Sequence, residues 1–120
     1  MIFESEKHKT RYKELLERVG SASANTAEAK ATLYLIALIG HENELFNFED
    51  YSIKPEGLHK PWQTGGSSRA TRLAFILWNG NPAEDDQRRN NIYNIFGYSD
   101  YDRYFIEALR IRYPYTTGSL

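Results

Sequence analysis

The run Leu33-Tyr34-Leu35-Ile36-Ala37-Leu38-Ile39 decides the fold. It is apolar at every position, so it leaves no face for water. A run this short fits either a buried strand or the second half of a buried helix. The residues before it settle the choice. Ala27, Ala29 and Ala31 favour helix, since alanine is the strongest helix former. Asn25 with Glu28 has the spacing of a capping box, in which each side chain satisfies an orphan amide of the other's residue. Gly40 closes the segment. The expectation is a helix over 27–39, apolar all round and therefore central, covered by its neighbours.

Working outward, residues 5–19 place Tyr12, Leu15, Leu16 and Val19 on one helical face, with Glu14 and Arg18 paired on the opposite side. Gly20 suits the stop of that helix, and 21–24 is a connector of small residues. Residues 41–66 scatter large apolar groups among Pro55, Gly57, Pro61, Gly65 and Gly66. They read as a long irregular connection folded over the core, with one helical turn at 43–47 and room for a small β pairing within 45–62. Long connections of this kind are often functional. A helix over 67–79, capped by Ser67 or Ser68, buries Ala70, Leu73, Ala74, Leu77 and Trp78, and Asn79 to Pro82 ends it with turn chemistry. Residues 84–91 read as polar half-helix, and Ile92, Ile95 and Phe96 as a short helix ending at Gly97. Ser99 with Asp102 repeats the capping-box spacing and opens a helix to about Arg112, with Tyr101, Phe105, Ala108, Leu109 and Ile111 facing the core. Pro114 stops it, and 115–120 reads as a frayed tail. The fold class expected is mainly α: one compact domain over 1–120, of four to five helices around the central apolar one.

Composition narrows the function. The chain has 120 residues, a formal net charge of −1 and no cysteine. The missing cysteines remove disulfide scaffolds, thiol catalysis and zinc–thiolate sites. Near-neutral charge argues against a bulk nucleic-acid binder and equally against an acidic mimic of nucleic acid. The start, Met1-Ile2-Phe3-Glu4-Ser5-Glu6, turns charged too soon for a signal peptide. A seven-residue apolar run falls short of the roughly twenty needed to span a bilayer. A cytoplasmic protein is expected.

Three groups of residues carry chemical possibilities. The first is Thr64-Gly65-Gly66-Ser67-Ser68-Arg69, running into a helix, with Arg72 one turn on and Trp62 and Gln63 ahead. Glycines that free backbone amides, hydroxyls at a helix start and two arginines suit a phosphate, carboxylate or nucleotide. The plainer reading is a glycine turn, a serine cap and solvated arginines. Charge supports the anion reading. Residues 51–80 hold four Lys or Arg against one acidic residue, while residues 21–50 hold one against five. The second group is the tyrosines of the last third with their arginines: Tyr98, Arg103, Arg112, Tyr113 and Tyr115. Tyrosine and arginine are enriched at protein interfaces, and the same mixture fits single-stranded nucleic acid. The plainer reading, that the rings pack at the core edge with hydroxyls outward, suits Tyr101 and Tyr104 better than Tyr113 and Tyr115. The third is acidic: His41-Glu42-Asn43-Glu44 and Glu84-Asp85-Asp86 hold metal-capable groups without a metal-ligand spacing. They read as polar helix exit and solvated loop. No catalytic residue, cofactor or metal is expected.

Ile53-Lys54-Pro55-Glu56-Gly57-Leu58-His59, Trp62-Gln63-Thr64-Gly65-Gly66-Ser67, Arg72-Leu73-Ala74-Phe75 and Leu77-Trp78-Asn79-Gly80 resemble a small domain-of-unknown-function family of Firmicutes and their phages and mobile elements. Glu6-Lys7-His8-Lys9 with Tyr12, the Tyr34–Leu38 run and Arg110-Ile111-Arg112-Tyr113-Pro114 extend the resemblance over nearly the whole chain. Pro61, directly before Trp62, departs from it and stiffens the approach to the glycine turn. The resemblance implies no catalytic residue. It implies a setting, phage-rich neighbourhoods where many small proteins block host defence. The leading expectation is a non-enzymatic binding protein that inhibits a host defence protein by occlusion. The alternatives are a phosphate or nucleotide module at Thr64–Arg72 and a small nucleic-acid-binding protein.

Overall fold

The computed structural model describes residues 1–20, 25–79 and 91–114. The elements are α1 (Glu6–Val19), α2 (Ala27–Ile39), α3 (Glu42–Leu45), β1 (Phe46–Asn47), β2 (Ser52–Ile53), a 3-10 turn (Pro55–His59), α4 (Gly65–Asn79), α5 (Ile92–Ile95) and α6 (Asp102–Arg112). The architecture is mainly α. Its radius of gyration is 13.3 Å. A folded chain of this length is expected at roughly 14 Å.

The apolar run sits where its composition requires. Helix α2 packs against α1, α4 and α6. Leu33, Tyr34, Leu35 and Ile36 are wholly buried, and Ala31 and Ala37 let neighbouring helices approach. Helix α1 contributes Tyr12, Leu15 and Val19, helix α4 Ala70, Leu73, Ala74, Phe75 and Leu77, and helix α6 Phe105 and Ala108. The faces read from spacing pack against the core, and Phe75 and Tyr104, outside the stripes read on their helices, are buried with them.

Cap assignments need correction. Thr26, not Asn25, caps α2, its Oγ1 accepting from the Ala29 amide at 3.1 Å. Either residue type can cap. With the start one residue later, the Glu28 carboxylate crosses to Arg112 Nη2 of α6 at 3.2 Å instead of closing a box. Helix α4 starts at Gly65, before Ser67 and Ser68. Thr64 Oγ1 accepts from the Ser67 amide at 3.1 Å, while Ser67 Oγ accepts from the Thr64 amide at 2.8 Å. This is a reciprocal box with serine in the role usually held by glutamate. Ser99 and Asp102 form no box. Ser99 Oγ accepts from the Tyr101 amide, and Asp102 Oδ2 reaches back to the Gly97 amide at 2.7 Å, so both side chains stabilise the turn rather than the helix start.

The segment 41–66 holds the helical turn and the small β pairing expected of it, and adds a 3-10 turn. It contains α3 and the 3-10 turn, and β1 pairs antiparallel with β2 through Phe46–Ile53 and Asn47–Ser52. Asn47 Oδ1 builds the tip, accepting from the amides of Glu49 and Asp50, the local bonding that suits asparagine to turns. Gly57 brings the 3-10 turn against α3: a Cβ there would stand 2.6 Å from Leu45 Cδ2 and 2.7 Å from the Glu44 carbonyl oxygen. Sequence spacing misses only the 3-10 turn, which contacts with α3 rather than periodicity create. The readings of 21–24, of the turn after Asn79, of 84–91 with its acidic run, and of the tail 115–120 lie outside the described residues.

Candidate functional site

The glycine turn spends its polar groups internally. Ser67 Oγ donates to Gln63 Oε1 at 2.6 Å, and Gln63 Nε2 donates to the Gly57 carbonyl at 3.0 Å and to Thr71 Oγ1 at 3.1 Å. Thr71 Oγ1 in turn donates to the Ser67 carbonyl at 2.8 Å. Gln63, Thr64, Ser67 and Thr71 thus lock the start of α4 to the 3-10 turn. Neither Gly65 nor Gly66 has a positive φ. Gly66 instead allows close approach: a Cβ there would stand 3.0 Å from the Tyr101 ring, tight enough that the ring would have to give way. Ser68 is half-buried. Arg72 is 4% exposed, part of the interior rather than of an open site.

Trp62 faces elsewhere. Its indole stacks on the His41 ring, with centroids 3.9 Å apart and planes 5° from parallel, and its Nε1 donates to Glu44 Oε2 at 2.7 Å. His41 Nδ1 lies 3.2 Å from the same oxygen, and Lys60 Nζ 3.9 Å from Glu44 Oε1. His41 has a φ of 53°, in the left-handed region. That conformation costs a residue with a Cβ about 1–2 kcal/mol. The stacking and the shared carboxylate hold it there. The charge asymmetry read along the chain is partly cancelled here, because Lys60 of the basic segment meets Glu44 of the acidic one.

The tyrosine–arginine group assembles differently. Three arginines lie over tyrosine rings: Arg69 over Tyr98 at 4.7 Å, Arg103 over Tyr104 at 5.2 Å and Arg112 over Tyr113 at 4.7 Å. The first pair joins residues that the sequence assigned to separate groups, one to a ligand and one to a partner. Arg112 is committed to the fold: its Nε donates to the Leu77 carbonyl at 3.0 Å, and its Nη2 pairs with Glu28. Arg103, Ile106, Arg110 and Tyr113 all stand exposed on α6 and its C-terminal end. Their spacing of three, four and three residues makes them one stripe. Among the described residues, neither Arg103 nor Arg110 forms an ion pair. Tyr93 and Tyr98, 84% and 58% exposed, add aromatic surface in the segment before α6. Tyr115 lies outside the described residues. Ile106 escaped the sequence reading. The alternation of exposed and buried positions along 103–113 was the available signal.

The most enclosed polar cluster was also missed. His8 is 2% exposed, with Phe3, Tyr34 and Tyr104 rings around it. Its Nδ1 accepts from the Glu4 amide at 3.0 Å, so the ring proton sits on Nε2, which lies 2.9 Å from the Tyr34 carbonyl oxygen. Burial lowers its pKa, opposed by the Tyr34 carbonyl and Glu4 and reinforced by Arg11, because a buried imidazole is penalised in its charged form. Tyr34 donates its hydroxyl to the Ile2 carbonyl at 2.6 Å, Tyr12 donates to the Lys30 carbonyl at 3.0 Å, and the Ile2 amide donates to Glu107 Oε2 at 2.8 Å. Burial raises both phenol pKa values, that of Tyr12 to about 12. Every polar atom in these contacts has a partner, so the cluster serves packing. Among the described residues, no group of three His, Asp or Glu side chains converges as metal ligands would. No helix among them is long and apolar enough to cross a membrane.

The model of a family of unknown function (DUF6075) matches residues 1–119, and the chain belongs to that family. No curated protein and no solved structure matches it.

Proposed function

We propose that this chain is a small non-enzymatic binding protein that covers an acidic patch on a protein partner with the exposed face of α6. The observation that supports it is the stripe Arg103, Ile106, Arg110 and Tyr113. It sets two cations, neither ion-paired among the described residues, around an aliphatic and an aromatic anchor. Arginine and tyrosine are the residue types that dominate interface energetics. Arg103 is already ordered over Tyr104, which reduces the side-chain entropy lost on docking. We further propose that the partner is a host defence protein, blocked by occlusion. The resemblance to phage and mobile-element proteins is what supports that part.

The test compares proteins captured from host lysate by the immobilised chain and by the folded double variant R103E/R110E. An acidic protein bound by the first and absent from the second is the expected result, with retention falling as salt rises. Identical captures from both would sink the reading. Tight binding of single-stranded oligonucleotides with a steep salt slope would transfer the same face to nucleic acid.

A second reading places a phosphate-bearing ligand at Arg69, beside the start of α4. The observation favouring it is Arg69 Nε, buried with no hydrogen-bond partner among the described residues. At 100 times the dissociation constant a ligand adds about 2.7 kcal/mol of stability, so a thermal-shift screen with nucleotides and phosphate should show an upward shift that vanishes in R69A. A flat screen removes this reading.

A further inference from the structure

A basic concavity lies at the junction of α1, α3 and the β1–β2 hairpin. It is a cavity of about 310 Å³, lined by Arg18, Asn43, Phe46, Asn47, Phe48, Glu49 and Lys54. That volume is at the small end of ligand pockets. Two cations converge on one residue there. Arg18 Nη2 donates to Asn43 Oδ1 at 2.7 Å, and Lys54 Nζ donates to the Asn43 carbonyl at 2.7 Å. Arg18 is held further by the Phe48 ring, 3.9 Å beneath its guanidinium. Like charges drawn to one point repel, and a bound anion relieves that repulsion. Among the described residues, neither Arg18 nor Lys54 forms an ion pair: Arg18 turns to Asn43 and Phe48 rather than to Glu14, the partner its helical spacing suggests, and each cation has donors left over after its bond to Asn43.

We propose that this cavity binds a small molecule through its carboxylate. Arg18 and Lys54 hold the two oxygens, Asn47 offers an amide at the wall, and the half-buried Phe48, beside the fully buried Phe46, borders the site. Glu49 sets the charge class. With two cations and one carboxylate the lining carries one net positive charge, which matches a singly charged carboxylate better than a doubly charged phosphate. The side chains are already positioned by Asn43 and Phe48, so little ordering is left for binding to supply. The site is separate from the α6 stripe, so the two proposals stand or fall independently.

The experiment is a titration of the isotope-labelled full chain followed by amide NMR, with benzoate, glutamate and inorganic phosphate as probes. Benzoate or glutamate should give saturable shifts at Arg18, Asn43 and 46–54. In R18Q, whose fold is checked by the unchanged remainder of the spectrum, affinity should fall about tenfold or more. In E49Q, which raises the lining charge from one to two, carboxylate binding should tighten about threefold to tenfold and weaken as salt is added. E49Q keeps the test decisive even if R18Q fails to fold. Shifts with phosphate alone, equal carboxylate response in R18Q and the parent chain, or an E49Q affinity that does not rise would each overturn the assignment.

Discussion

Phe105→Ala should cost about 3–5 kcal/mol of folding stability, read as a drop in the urea midpoint at unchanged slope. A domain of this kind has only about 5–15 kcal/mol in total, so the variant sits close to unfolding. Phe105 is wholly buried, its ring edge-on to Phe96 at 5.7 Å and tilted to Tyr101 at 6.3 Å. Truncation removes the apolar area and leaves a cavity where α6 meets the central helix. The adjacent Ile106 provides the contrast, being 44% exposed. Its replacement by aspartate should change stability by about 0.5 kcal/mol or less while weakening partner capture. Equal losses at the two positions would mean that α6 docks on a different face. The pair matters for function because Phe105 is what holds the Arg103–Tyr113 stripe in place.

His8→Ala should cost about 2–4 kcal/mol, combining a cavity with the loss of two hydrogen bonds. It should also remove a pH dependence. Burial lowers the His8 pKa in the folded state below the ordinary 6.5. The unfolded chain therefore binds more protons than the folded one between the lowered value and the ordinary one. Stability from the neutral ring is fully present above the ordinary value and is lost as pH falls through the folded-state pKa. Glu4 favours the charged ring while Arg11 opposes it, and burial is the largest influence. Denaturant unfolding of the parent chain should show stability falling below pH 6.5, and the His8→Ala profile should be flatter there. Parallel profiles would assign the acid sensitivity to other groups.

Much of the helical framework was legible because its signals are local. Tyr12, Leu15 and Val19 repeat at helical spacing and are buried together. Leu33 to Ala37 are apolar on all sides and are covered on all sides. Glycine at positions 20 and 40 marks both helix ends with positive φ. Caps were less legible, since Asn25 and Thr26 are equally able to cap and only the register of α2 chooses between them. The candidate site was least legible. Trp62 lies three residues before Gly65 in the chain, yet its ring faces His41 and Glu44. Arg69 and Tyr98 are far apart in sequence and stack on each other. Arg18, Asn43 and Lys54 come from α1, from α3 and from the residue after β2, and no spacing rule relates them.

The central helix, and with it the mainly α fold, was determined by sequence alone: a run with no polar face can be stable in water only when neighbours cover it. Which side chains share a surface was decided by tertiary structure. The same glycine turn that looked like an anion cradle is filled by its own hydrogen bonds: Gln63, Ser67 and Thr71 meet locally at helical spacing, and docking beside the 3-10 turn adds the bond from Gln63 Nε2 to the Gly57 carbonyl. The cations without an ion pair among the described residues include those the fold carries away from the acidic stretch, on α6, and those it gathers around Asn43. Periodicity reports which face of an element is buried. Charge pairing across elements depends on distances that exist only after the helices have packed.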